Sequence, residues 1–205
     1  MKYLPTLLLS TFSLLFISCG ENTSSSPLNE ITSISLVEKN ISLYATDRDV
    51  NLSAKVFYNN STSAVATGDM AWSSSDNNIF TTTTGKISAE KNGGDAEVII
   101  DYQDTFSDKS SVHVKKLLTI NYTDLNISDI GNPQTIKVSG NFENNETDVK
   151  MKGNILWSVN SYATISESNA SQITLTVDYK VSSITLSATL FSDTDNAVIF
   201  DKTFN

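Results

Sequence analysis

From residue 31 onward the chain repeatedly alternates apolar and polar positions. Val50, Leu52, Ala54 and Val56 alternate with Asn51, Ser53, Lys55 and Phe57. Ala96, Val98, Ile100 and Tyr102 form a second set, Ile173, Leu175 and Val177 a third, and Ile184, Leu186, Ala188 and Leu190 a fourth. A period of two puts one strand face in a core and the other in water. The inward positions are rich in β-branched residues, which suit a half-buried pleated surface. No segment in this region sustains a helical period with caps. The pattern predicts an all-β chain of short strands packed as sandwiches.

The first 30 residues read differently. Lys2 gives a positive start, and Leu4 to Ile17 is mostly apolar, centred on Leu7, Leu8, Leu9, Leu14, Leu15 and Phe16. That run falls short of the roughly 20 residues a spanning helix needs and matches a cleavable secretory leader. Residues 20–30 have almost nothing apolar and read as a flexible tether, because they bury too little surface to offset the entropy of ordering.

Two similar halves follow. Val56-Phe57-Tyr58-Asn59-Asn60 precedes Trp72-Ser73-Ser74, and Gly140-Asn141-Phe142-Glu143-Asn144-Asn145 precedes Trp157-Ser158-Val159. The tryptophans stand 85 residues apart, each after an alternating strand and a polar connection. Each is expected at the centre of a small sandwich core. The division this predicts is a leader over 1–18, a tether over 19–30, one sandwich over 31–116 and a second over 117–205.

The segment Phe16-Ile17-Ser18-Cys19-Gly20 resembles the lipobox of bacterial lipoproteins. The resemblance implies that residues 1–18 are removed and that Cys19, the only cysteine, becomes the acylated first residue. It also implies an outer-membrane address, since Gly20 is not an acidic sorting residue. Several acyl chains hold a folded domain at a bilayer without a spanning helix. With Cys19 acylated, no thiol remains for a disulfide, so the core alone carries the fold.

In the first half, Ile31-Thr32-Ser33-Ile34-Ser35-Leu36, Trp72-Ser73-Ser74-Ser75-Asp76, Gly85-Lys86-Ile87-Ser88-Ala89 and Gly94-Asp95-Ala96-Glu97-Val98 together resemble the bacterial immunoglobulin-like domain, group 2. The second half keeps the tryptophan and the final strands but lacks the Gly-x-Ile-x-Ala element, and reads as a divergent immunoglobulin-like sandwich.

The chain carries 14 Lys and Arg against 23 Asp and Glu, a net charge of -9. This excludes nucleic acid as an expected partner, because like charges repel phosphates. The lone histidine, His113, lies between Val112 and Val114 and is expected to face solvent. One histidine and no free thiol cannot assemble a typical zinc site. No nucleophile motif, phosphate-binding loop or cleft-forming carboxylate pair accompanies it, so neither an enzyme nor a cofactor is expected. A structural calcium site at Asp193-Thr194-Asp195-Asn196 is the one cofactor alternative, though the stretch lacks the glycine and glutamate of an EF-hand loop.

Nine Asn-x-Ser/Thr motifs occur, and five of them carry an acid two positions earlier: Asn40, Asn51, Asn126, Asn145 and Asn169. Chance predicts about one such case. The extended motif resembles the acceptor of the bacterial general N-glycosylation system of the Campylobacter group. The function expected is a non-catalytic binding or adhesion module at the cell envelope, tethered to the membrane through Cys19 and facing a protein or carbohydrate ligand. The alternative is a structural spacer in a larger envelope complex. The loops around Asn59-Asn60, Asp104-Phe106 and Asp193-Asn196 are the positional candidates for contact.

Overall fold

The computed structural model describes residues 29–68, 70–190 and 197–205, and their ordered elements are all β-strands. Cys19, the leader and Asp193-Asn196 lie outside the described residues.

Ten strands make the first sandwich: β1 (Ile31–Leu36), β2 (Asn40–Tyr44), β3 (Val50–Asn51), β4 (Ala54–Tyr58), β5 (Ser63–Val65), β6 (Met70–Ser74), β7 (Phe80–Thr83), β8 (Lys86–Ala89), β9 (Gly94–Tyr102) and β10 (Phe106–Lys115). One layer holds the sheet β2-β10-β9-β6, in which β2 and β10 run parallel. The other combines β1-β4-β5 with β3-β8-β7. The run expected as a single strand over Val50–Val56 is two strands that serve different sheets: Val50 pairs Ile87, whereas Val56 pairs Ile34. At the break, Leu52 N–H donates to Gly85 O at 2.7 Å and Ser53 N–H donates to Glu38. Inward alternation survives the switch, so periodicity does not register it.

Eight strands make the second sandwich: β11 (Leu117–Tyr122), β12 (Pro133–Phe142), β13 (Glu146–Lys150), β14 (Ile155–Val159), β15 (Ala163–Ser168), β16 (Gln172–Val177), β17 (Ile184–Leu190) and β18 (Val198–Phe204). Its layers are β11-β12-β16-β15, with β13 also paired to β12, against β14-β17-β18. The immunoglobulin-like plan of the first half is repeated. Trp72 on β6 pairs in register with Ile100 of the long neighbouring strand, and Trp157 on β14 pairs with Ala188 of its own. Two tandem immunoglobulin-like β-sandwiches thus follow one another, and no sheet among the described residues mixes strands of the two.

The cores are built from the alternating positions. Leu36, Phe80, Ile87, Val98, Ile100 and Val114 are fully buried in the first sandwich, and Ile136, Phe142, Ile173, Leu175, Ile184 and Leu186 in the second. The tryptophans do not sit at these centres. Both are half-buried on the core's flank, where Trp157 Nε1 donates to Asn169 O at 3.0 Å. An indole needs an acceptor, and the flank supplies a carbonyl that the centre lacks. The hairpin that has no glycine, β15 to β16, turns on Asn169. Its side-chain Oδ1 accepts from Ser171 N–H at 2.8 Å and Gln172 N–H at 3.0 Å. A local side-chain acceptor replaces the glycine that the equivalent first-half turn uses.

Candidate functional site

Chain direction gives the molecule two poles and a joint. β1 and β10 both run toward Lys115, so Glu30 and Ile31 lie at the far end of the first sandwich, where Asn59 N–H donates to Glu30 O. In the second sandwich, β16 runs away from Phe142. The opposite pole therefore gathers Ile130, Tyr162 and the stretch after Val177. Glu30 and the second sandwich's tip stand at opposite ends.

The joint is a set of contacts between residues remote in sequence. Glu146, opening β13, accepts from the Tyr44 hydroxyl at 2.7 Å and from Lys115 Nζ at 2.5 Å. The Lys115 hydrogen bond, then that of Tyr44, holds the Glu146 carboxyl below its ordinary range. The same hydrogen bonds push Tyr44 and Lys115 up. The Tyr44 ring packs on Phe142 with centroids 4.7 Å apart. Asp47 Oδ1 lies 3.1 Å from Lys152 Nζ, a charge contact without hydrogen-bond alignment. Gly153, at φ +82°, sits so close to Thr46 that a Cβ there would stand 2.8 Å from the Thr46 carbonyl oxygen. Arg48 is folded back onto the Ala45, Asp47 and Ala89 carbonyls, which fixes the Thr46 backbone from behind.

His113 does project outward, with Val112 and Val114 buried on either side. It does not face open solvent. Nδ1 lies 2.7 Å from Asp95 Oδ1, and Nε2 lies 3.3 Å from Glu143 Oε1 of the second sandwich, so the histidine joins the polar rim of the joint. Sequence reasoning missed this whole set, since Glu143 and Glu146 carry no local signal of partners across the joint.

The other predicted residues are scattered. Asn40, Asn51, Asn126, Asn145 and Asn169 are all exposed, spread over both sandwiches. Asn145 lies in the β12–β13 turn at φ +61°, next to the joint residue Glu146. Asn59-Asn60 and Asp104-Phe106 occupy the pole where Glu30 and Ile31 lie. No three His, Cys, Asp or Glu side chains among the described residues are arranged to hold a metal.

The exposed large apolar side chains are distributed unevenly. Six of the nine among the described residues, Leu118, Ile130, Leu156, Tyr162, Tyr179 and Ile199, belong to the second sandwich. Leu156 and Ile199, 57% and 62% exposed, both register with Thr189 and flank it on the outer face of β14-β17-β18. Tyr162 and Tyr179, 46% and 65% exposed, mark the tip, where Asp178 N–H donates to Tyr162 O.

No protein-family model matches the chain, and no curated protein matches it. Among solved structures it is similar to the S-layer protein rSbsC, with 17% identity and a TM-score of 0.37 over 84% of this chain and 28% of that one. Domains 4 and 5 of the S-layer protein SbsC give 18% and 0.34, over 84% and 97% of the two chains. The Yersinia pseudotuberculosis adhesin InvE gives 15% and 0.31, over 84% and 58%. The chain thus spans little more than a quarter of the rSbsC structure.

Proposed function

We propose that this chain is an envelope-anchored lipoprotein whose two sandwiches form a non-catalytic binding and adhesion module. Acylated Cys19 holds it at the outer membrane, the tether leads into the near pole, and the second sandwich reaches the partner, a protein or a carbohydrate rather than a nucleic acid. The first sandwich is of the group 2 bacterial immunoglobulin-like kind in this reading. The five asparagines preceded by acids serve as glycan acceptors, and their exposure supports that assignment.

The supporting observation is the row Leu156–Thr189–Ile199 on an outer sheet face. A spacer gains nothing from large apolar side chains held in water, whereas a docking face uses them. The spacer reading has its own observation, the joint, because a spacer must keep its length. The two readings separate on the paired substitution Leu156→Lys, Ile199→Lys. Both residues are exposed, so folding and envelope location should be unchanged. A binding module loses adhesion of expressing cells, or capture of its envelope partner, by at least tenfold. A spacer retains both.

A further inference from the structure

The outer face of β11-β12-β13 carries a concave polar groove of about 430 Å³ that the apolar docking face leaves unused. It opens where β12 forks: Lys137 pairs toward β16 while Ser139 pairs toward β13. A bulge between Gly140 and Phe142 lets β13 carry an extra residue, and Asp148 takes φ +56° there. Bulges re-aim side chains, and a non-glycine residue held at positive φ marks a conformation maintained by its surroundings. Asp148 is held by its neighbours. Its N–H donates to Asn141 Oδ1 at 3.2 Å, and its Oδ1 accepts from Asn121 Nδ2 at 3.0 Å and Ser139 Oγ at 3.1 Å. Asn121 and Asn141 bond each other reciprocally at 2.9 and 3.1 Å, which fixes the floor.

Against this floor stand groups with nothing to bind. Among the described residues, the Lys137 and Lys150 ammonium groups, the Gln172 amide and Asp148 Oδ2 have no partner. Two cations and one acid make the groove locally positive on a chain of net charge -9. Lysines alone would suit any anion. The fixed Asp148 carboxylate of the same lining repels a dense polyanion and accepts hydrogen bonds from hydroxyls. Tyr122, the one aromatic of the lining, turns its ring edge-on to Trp157 and Phe204, so recognition here proceeds by hydrogen bonds and charge rather than stacking.

We propose that this groove binds an acidic carbohydrate, a uronate-bearing stretch of two or three sugars, with hydroxyls on Asp148 and Gln172 and the carboxylate between Lys137 and Lys150. The inference rests on the reading of the chain as a binding module and names a ligand class for it. Titrate the detergent-solubilised full-length chain with trigalacturonate, and separately with its methyl ester, following amide shifts. The expected result is saturable shifts confined to Asn121, Lys137, Ser139, Asp148, Lys150 and Gln172. The ester should bind several-fold more weakly, and Lys137→Gln with Lys150→Gln should weaken the acid about tenfold, as the loss of two exposed charge contacts implies. Asp148→Asn should weaken acid and ester alike. Absent or scattered shifts, equal binding of acid and ester, or full binding by the double lysine variant overturns the proposal. The Leu156, Ile199 variant should keep its sugar shifts. If it loses its envelope partner while wild-type chain shows no sugar shifts, only the groove proposal falls.

Discussion

A single methyl group at Gly153 should unlock the joint. Alanine at φ +82° enters the left-handed region, at a cost of roughly 1–2 kcal/mol. Its Cβ would also stand 2.8 Å from the Thr46 carbonyl oxygen and 3.1 Å from Arg48 Cγ, so something must retreat by several tenths of an ångström. The Thr46 backbone cannot yield cheaply, because Ala45 N–H is bonded to Lys115 O and Arg48 braces its neighbours. Overpacking of this kind adds about 1–3 kcal/mol. Against it stand the Tyr44–Phe142 ring pair, worth about 0.5–1.5 kcal/mol, and the Lys152–Asp47 pair, worth about 0.2–1 kcal/mol with its lysine largely exposed. The wedge matches or exceeds these two contacts and works against the Glu146 bonds from Tyr44 and Lys115 across the same joint. Gly153 lies between β13 and β14 rather than within a strand, so the modules should separate before either melts. The assay is a pair of spin labels, one per sandwich. Wild type should give one narrow distance distribution, and Gly153→Ala a broad one, with each module's own unfolding shifted by less than about 1 kcal/mol. A narrow distribution in the variant, at the wild-type distance, would refute the claim that close backbone approach at Gly153 holds the modules in register.

Three further outcomes follow from particular residues. Glu146 has its pKa lowered by Lys115 and Tyr44, so its stabilisation is present above its ordinary value of 4.5 and disappears as pH falls through the folded value. The same label pair should therefore broaden in acid, and Glu146→Gln should be broad at neutral pH. Burial, aided by Asp201, pushes the Tyr122 hydroxyl up to about 12 from 10.0, and that hydroxyl has no partner. Stability should then fall as pH rises from 10 to 12, while Tyr122→Phe should remove that slope and be neutral to stabilising by about 1 kcal/mol in urea unfolding at pH 7. Asn169→Ala should destabilise the second sandwich by about 1 kcal/mol, as loss of a turn-forming acceptor does, and Asn169→Gly should restore part of it.

Much of the architecture is legible along the chain because burial is periodic. Each inward residue of β9, β16 and β17 was marked by alternation, and the tryptophan spacing located the repeat that the two sheet plans share. What escaped has a physical reason in each case. The strand over Val50–Val56 changes sheets without changing phase, so its pattern is blind to the break. The turn on Asn169 escapes because an Asn-x-Ser motif marks an acceptor and says nothing of the backbone N–H groups that its Oδ1 holds. The tryptophans' size pointed to the core centre, but the indole N–H drew Trp157 to a carbonyl at the edge. The joint and the groove are assembled from residues far apart in sequence, such as Tyr44 with Glu146 and Asn121 with Asp148, whose side chains carry no local pattern. The left-handed turn of Asp148 is likewise set by its bulge and not by its neighbours in sequence.

The proposal that this chain works as a tethered module stands most directly on one mass. The chain purified from its own host, in detergent, should weigh as residues 19–205 with acyl chains on Cys19, plus any glycan. A bare thiol on a chain that still begins at Met1 would contradict it.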